Sequence, residues 1–80
     1  MFQELQGIRT TIPLTGKDFS DPDVIHSLPR GQEGTIVHVY SGGAAYEVEF
    51  VLGEPGPDGF IAHPRYCLLA IEPQHLEAAA

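Results

Sequence analysis

From Tyr46 to Leu52 the chain alternates without a break: Tyr46, Val48, Phe50 and Leu52 fall on one parity, Glu47 and Glu49 on the other. A period of two with one apolar face is the pattern of an antiparallel strand half-buried on a core. Gly34 to Tyr40 predicts the strand before it, joined through Ser41-Gly42-Gly43-Ala44, a hairpin turn with glycine where positive φ is needed. That earlier strand is apolar on both parities, Val37 and Val39 against Ile36 and Tyr40. Such a pattern suits a strongly bent strand or a β-bulge.

The flanking segments are more broken. Ile8 to Leu14 predicts a first strand, with Pro13 at a sheet edge or the strand end because it has no N–H to donate. Thr15 to Gln32 reads as a long polar connection interrupted by Gly16, Pro22, Pro29 and Gly31. Within it, Ser20-Asp21-Pro22-Asp23 resembles a cap with proline at the first helical position, which predicts one helical turn over Asp23 to Ser27. Val24, Ile25 and Leu28 are the residues expected to pin this connection to the core. After the third strand, Gly53 to Gly59 is turn sequence. Phe60-Ile61-Ala62 predicts a short fourth strand, His63-Pro64-Arg65 a break, Tyr66 to Ile71 a fifth strand, and Pro73 to Leu76 one more helical turn. The expected core includes Ile36, Val39, Val48, Phe50 and Leu68.

Five short strands, a long first loop and one-turn helices predict an all-β domain, a small five-stranded SH3-like barrel, with a small open sheet as the alternative. Eighty residues make one domain, taken as residues 1–77 with 78–80 as a terminal tail. Nine glycines and seven prolines point the same way, since helix interiors do not tolerate them.

Charge narrows the function classes. The net charge is −7, and residues 42–80 carry six acids against one base, Arg65. Phosphate backbones and anionic lipid need clustered Lys and Arg, so neither nucleic acid nor a membrane surface is an expected partner. An acidic surface keeps a chain soluble and favours a basic protein partner. One cysteine, Cys67, fits a reducing cytoplasm. The start of the chain shows no basic and apolar leader, and the longest apolar runs are only a few residues.

The stretch Leu28-Pro29-Arg30-Gly31-Gln32-Glu33-Gly34-Thr35-Ile36-Val37-His38-Val39-Tyr40, followed by Gly43-Ala44-Ala45-Tyr46-Glu47-Val48-Glu49-Phe50, resembles a bacterial family of short proteins known as domain of unknown function 4926. The likeness runs over residues 8 to 73 and is densest over 28 to 50. It implies a strand, a polar loop, two strands and a final strand ending near a proline, and no assigned activity. The chain departs from the family pattern at 53–59, where its turn is longer and richer in proline. A weaker likeness, carried by Arg30-Gly31 and Gly34 at the step into a strand, is to the SH3-like domain of the nitrile hydratase β-subunit. It implies an accessory role beside a catalytic subunit. Independently of any family, Gly31 and Gly34 read as a sharp turn with positive φ into a strand. A phosphate-binding loop would add glycines, a following helix and a lysine.

Catalytic signals are sparse. His26, His38, His63, His75 and Cys67 are the soft metal-ligand candidates, without CxxC, HExxH or a close His pair. His63 and Cys67 would stand about 13 Å apart on a straight strand, too far to share an ion. Cys67 lies in the apolar run Tyr66-Cys67-Leu68-Leu69, where a buried thiol is inert. Glu47 and Glu49 project together at about 7 Å, a spacing glycosidases use, but on an exposed sheet face rather than in a sugar cleft. Nucleic-acid binding has aromatic platforms in Tyr40, Tyr46, Phe60 and Tyr66 but lacks a basic groove. The sequence therefore leads to a non-catalytic protein-interaction module, an accessory subunit or an acidic antitoxin-like partner. No catalytic residue, cofactor or metal is expected, and homo-oligomerisation stays open. Its candidate binding residues are Tyr40, Glu47, Glu49 and Tyr66, aromatics with nearby acids that suit cationic or proline-containing segments. The alternative class is a small enzyme or ligand-binding barrel.

Overall fold

Closely spaced glycines and prolines keep every extended run short. Among the described residues there are seven strands: β1 (Gly7–Thr10), β2 (Leu14–Lys17), β3 (Ile25–Leu28), β4 (Glu33–Tyr40), β5 (Ala45–Leu52), β6 (Arg65–Ile71) and β7 (Leu76–Ala78), with a 3-10 turn at Pro73–His75. This is a computed structural model, and it describes residues 1–79. The fold is all-β. One five-stranded sheet has the order β6-β5-β4-β1-β7, and β2-β3 form a separate hairpin. Every pairing is antiparallel. Among the described residues, no helix is long and apolar enough to cross a membrane.

In place of the expected five-stranded barrel, the described residues form seven strands in two sheets that do not close on each other, nearer to the open-sheet alternative. Three local causes account for the difference. First, the predicted strand Ile8–Leu14 splits at Pro13: β1 stays in the large sheet, and β2 leaves it to pair with β3. Second, the supposed loop at 15–32 holds most of that hairpin. Its tip is a tight turn in which Val24 N–H donates to Asp21 O at 3.0 Å, with Pro22 and Asp23 between. Proline in the second position of a turn competes with proline at the first position of a helix, and here the turn prevails, so no helix forms over Asp23–Ser27. Of the three residues expected to pin the segment, Leu28 is buried and Val24 half-buried, but Ile25 points into solvent. Third, Phe60-Ile61-Ala62 is not a strand. Gly56 N–H donates to Phe60 O at 2.8 Å and Phe60 N–H to the Asp58 carboxylate at 3.0 Å, so the segment folds back on its own turn.

The last strand was not foreseen. Leu76–Ala78 pairs with β1, Ala78 lying opposite Ile8. Ala79 N–H donates to Gly7 O at 3.1 Å. Ala80, the end of the expected tail, lies outside the described residues. The 3-10 turn does stand where a helical turn was expected, with Pro73 opening it.

The core lies between the large sheet and the hairpin. It is built from Ile8, Leu28, Ile36, Tyr46, Val48, Phe50, Cys67, Ile71 and Leu76. Of the strong bend or bulge expected in the both-sided strand, a bulge is found. Ile36 pairs with Val48 but His38 pairs with Glu47, leaving Val37 as the extra residue. The slip lets Ile36 and Val39 both face inward, although Val39 is only half-buried. Leu68 is a correction: it lies opposite Glu49, on the outer face, while its neighbour Cys67 is fully buried opposite Phe50. Of the two glycines at 31 and 34, only Gly31 has positive φ, +87°. Gly34 serves close approach instead, because a Cβ there would meet Val48 and Phe50 side-chain carbons at 2.8 and 2.9 Å.

Phe50 is the largest wholly apolar side chain in this core with no exposure. Truncation to alanine should cost about 3–5 kcal/mol in denaturant unfolding. A loss no larger than that of an exposed-site control such as Phe60→Ala would contradict the packing described.

Candidate protein-binding face

Strand alternation gives the large sheet an outer face that the hairpin does not cover. On it, β5 presents Glu47, Glu49 and Val51, and β6 presents Tyr66, Leu68 and Ala70 as their cross-strand neighbours. On the other side of β5, the bulge in β4 brings His38 and Tyr40 to the same face. All four residues expected to bind a partner, Tyr40, Glu47, Glu49 and Tyr66, therefore share one surface. They form two pairs. The Tyr40 hydroxyl donates to Glu47 Oε2 at 3.3 Å. Burial first, and then the Glu47 charge, push the Tyr40 phenol above its ordinary pKa. His38 packs edge-on against the Tyr40 ring, centroids 4.5 Å apart.

The second pair lies in a cleft of about 200 Å³ lined by Phe19, Glu49, Tyr66 and Leu68. Glu49 is half-buried and makes no hydrogen bond or ion pair among the described residues. Phe19 is 70% exposed, and Tyr66 39%. Phe19 and Leu68 were missing from the sequence-based candidates. A hint of Leu68 was available, since it shares the parity of Tyr66. The only hint of Phe19 was an isolated aromatic in the polar run Asp18-Phe19-Ser20-Asp21.

Phe19 reaches this face because of its neighbour. Asp18 ends the hairpin's first arm and is only 5% exposed. Its Oδ1 accepts from His26 Nε2 at 2.8 Å. Its Oδ2 accepts from the N–H groups of Ser20 and Asp21, each at 3.1 Å, and lies 3.4 Å from Arg65 Nη1. Beside this knot, Phe19 N–H donates to Tyr66 O at 2.8 Å. One buried carboxylate thus ties β2, β3 and the start of β6 together, and Phe19 is held at the edge of β6 as a result. The His26 hydrogen bond, with the two backbone N–H groups and Arg65, holds the Asp18 carboxyl below its ordinary 3.8 against the opposing effect of burial.

Cys67 faces the core beneath Gly16, at a site where a Cβ on Gly16 would lie 2.6 Å from the sulfur. Burial, and secondarily the Asp18 charge, raise its thiol above 9.0. Among the described residues, no three His, Cys, Asp or Glu side chains are grouped to hold a metal ion. His26 is spent on Asp18 and His38 on Tyr40.

Residues 19–54 match the family described as Domain of unknown function (DUF4926). That span takes in Phe19, Tyr40, Glu47 and Glu49 but not Tyr66 or Leu68. No curated protein and no solved structure matches the chain.

Two outcomes follow. Asp18 has a depressed pKa in the folded state, so its contribution is complete above its unfolded value of 3.8 and is lost as the pH falls through the lower folded value. The melting temperature of Asp18→Asn should lie below that of wild type at neutral pH, and the gap should close as the pH drops under 3.8. A gap independent of pH would mean that the carboxylate charge is not what holds the hairpin. Cys67 should react with a thiol reagent only on unfolding, so its labelling in the native state should be much slower than in denaturant.

Proposed function

We propose that this protein is a non-catalytic interaction module that docks a basic protein partner on the outer face of its large sheet. The observation that carries this reading is the gathering of Tyr40, Glu47, Glu49 and Tyr66 on one face, together with exposed Phe19 and Val51. Aromatic and aliphatic area supplies binding energy, and the carboxylates supply sign selectivity and encounter rate. A net charge of −7 makes self-association through this face unfavourable and favours a partner of opposite charge. Cys67, the strongest nucleophile candidate, is buried with a raised pKa, which supports the non-catalytic reading over a small enzyme.

We read the twisted sheet and its covering hairpin as an SH3-like architecture left open on one side. The likeness to the nitrile hydratase β-subunit domain then suggests an accessory subunit, and the acidity an antitoxin-like role in a bacterial cytoplasm. These are assignments of kind, resting on composition and analogy.

The test is affinity capture from the native host with mass spectrometry, comparing wild type with the Glu47→Lys, Glu49→Lys double variant across a salt series. Neither acid forms an ion pair within the described chain, so the melting temperature should change little. Capture of the basic partner should weaken, and its salt dependence should flatten. Equal capture at every salt concentration would remove this face from consideration.

A further inference from the structure

The cleft between Phe19 and Tyr66 has a chemistry more specific than that of the face around it. Its walls are two partly exposed aromatic side chains, Leu68 adds aliphatic surface, and Glu49 contributes a carboxylate. We propose that this cleft seats one cationic side chain, a lysine or an arginine, of an incoming protein. The proposal rests on the docking reading above and names the group recognised there.

Three features select a cation. The first is an unanswered charge. Glu49 lies half-buried across from Leu68, and no described residue donates to it. Two bases near this face are engaged elsewhere: Arg65, on the same strand as Tyr66, reaches Asp18 at 3.4 Å, and Arg9, on β1 with β4 between it and β5, holds Glu77 at 3.4 Å. The second is the pairing of aromatic faces with a carboxylate. A cation gains from the ring quadrupole and the charge together, while an anion is repelled and a purely apolar side chain would strip water from Glu49 without pairing it. The third is size and order. A cleft of about 200 Å³ suits a single long side chain rather than a folded segment. The backbone of its outer wall is fixed in advance by the Phe19 N–H to Tyr66 O bond and by the Asp18 knot beside it, so little backbone ordering is left to binding.

The experiment is a titration of the ¹⁵N-labelled full chain, followed by amide shifts, with four capped tripeptides: Gly-Lys-Gly, Gly-Arg-Gly, and versions carrying norleucine or N-acetyl-lysine at the centre. The lysine and arginine peptides should move the amides of Phe19, Glu49, Tyr66 and Leu68 saturably, and the two neutral peptides should bind about tenfold more weakly or less. Glu49→Gln should remove that preference, and Phe19→Ala, an exposed change, should weaken the charged peptides. Glu54→Gln, which deletes a charge from the exposed 53–59 turn, should leave the preference intact. Norleucine binding as well as lysine would overturn the proposal. So would shifts spread over all acidic residues with Glu54→Gln as damaging as Glu49→Gln, which is attraction by net charge alone. Either failure, with partner capture still sensitive to Glu47 and Glu49, would leave the docking face standing without a cation seat. The converse, charged peptides held in the cleft while capture ignores both glutamates, would retain the seat and refute the docking face.

Discussion

The structure depends on the hairpin β2–β3 lying close against the sheet, and that approach depends on a missing side chain. Gly16 stands over Cys67 and Leu69 at a separation where a Cβ would be 2.6 Å from the sulfur and 2.7 Å from a leucine methyl. A Cβ there would force the Cys67 and Leu69 side chains to shift within a close-packed interior. With hydrogen at this position the hairpin covers Cys67 fully and Leu28 closes the core. An 80-residue chain has little apolar surface to spare, so one sheet alone would leave its inner face half wet.

Close approach needs a fastening as well as a vacancy. Asp18 supplies it by accepting hydrogen bonds from its own loop and from His26 while facing Arg65 at the start of β6. A buried carboxylate without partners would be expensive, and here the pairing satisfies it. No side-chain polar atom buried in the described structure is left without a partner. The same fastening has a consequence on the opposite surface. Alternation along the chain turns Asp18 inward and Phe19 outward, so the knot that closes the fold also sets the rim of the outer cleft. Fold and candidate site are joined at two adjacent residues.

The outer face mixes apolar and acidic side chains. Its apolar members, Phe19, Val51, Tyr66 and Leu68, are interleaved with carboxylates rather than surrounded by them. In the proposed docking role, interleaving would give the patch a sign preference, because a partner covering the apolar area would also have to answer Glu49. Glu47 is partly answered already by the Tyr40 hydroxyl, and Glu49 is not. This asymmetry between two glutamates on one strand is what the proposed seat rests on.

Local pattern alone determined the all-β class, the β4–β5 hairpin with its positive-φ glycines, an irregularity in β4 that the structure resolves as a bulge at Val37, the inward set Tyr46, Val48 and Phe50, and the grouping of Glu47 with Glu49. These are properties of period and turn chemistry, which act over a few residues. Other features were decided only by contacts distant in sequence. Leu68 and Cys67 are both apolar neighbours on one strand, and the shared parity of Leu68 and Tyr66 is the one local hint of which faces inward; the approach of Gly16 from about fifty residues away settles it. The segment 15–32 is polar enough to read as loop, and it becomes a hairpin because Asp18 finds His26 within the segment and Arg65 far outside it. Leu76–Ala78 has no strand signal of its own and is extended because β1 offers it a free edge. Phe19 joins Tyr66 for the same kind of reason. Periodicity records which faces a strand has, but which face is covered depends on what packs there, and that is a property of the whole chain.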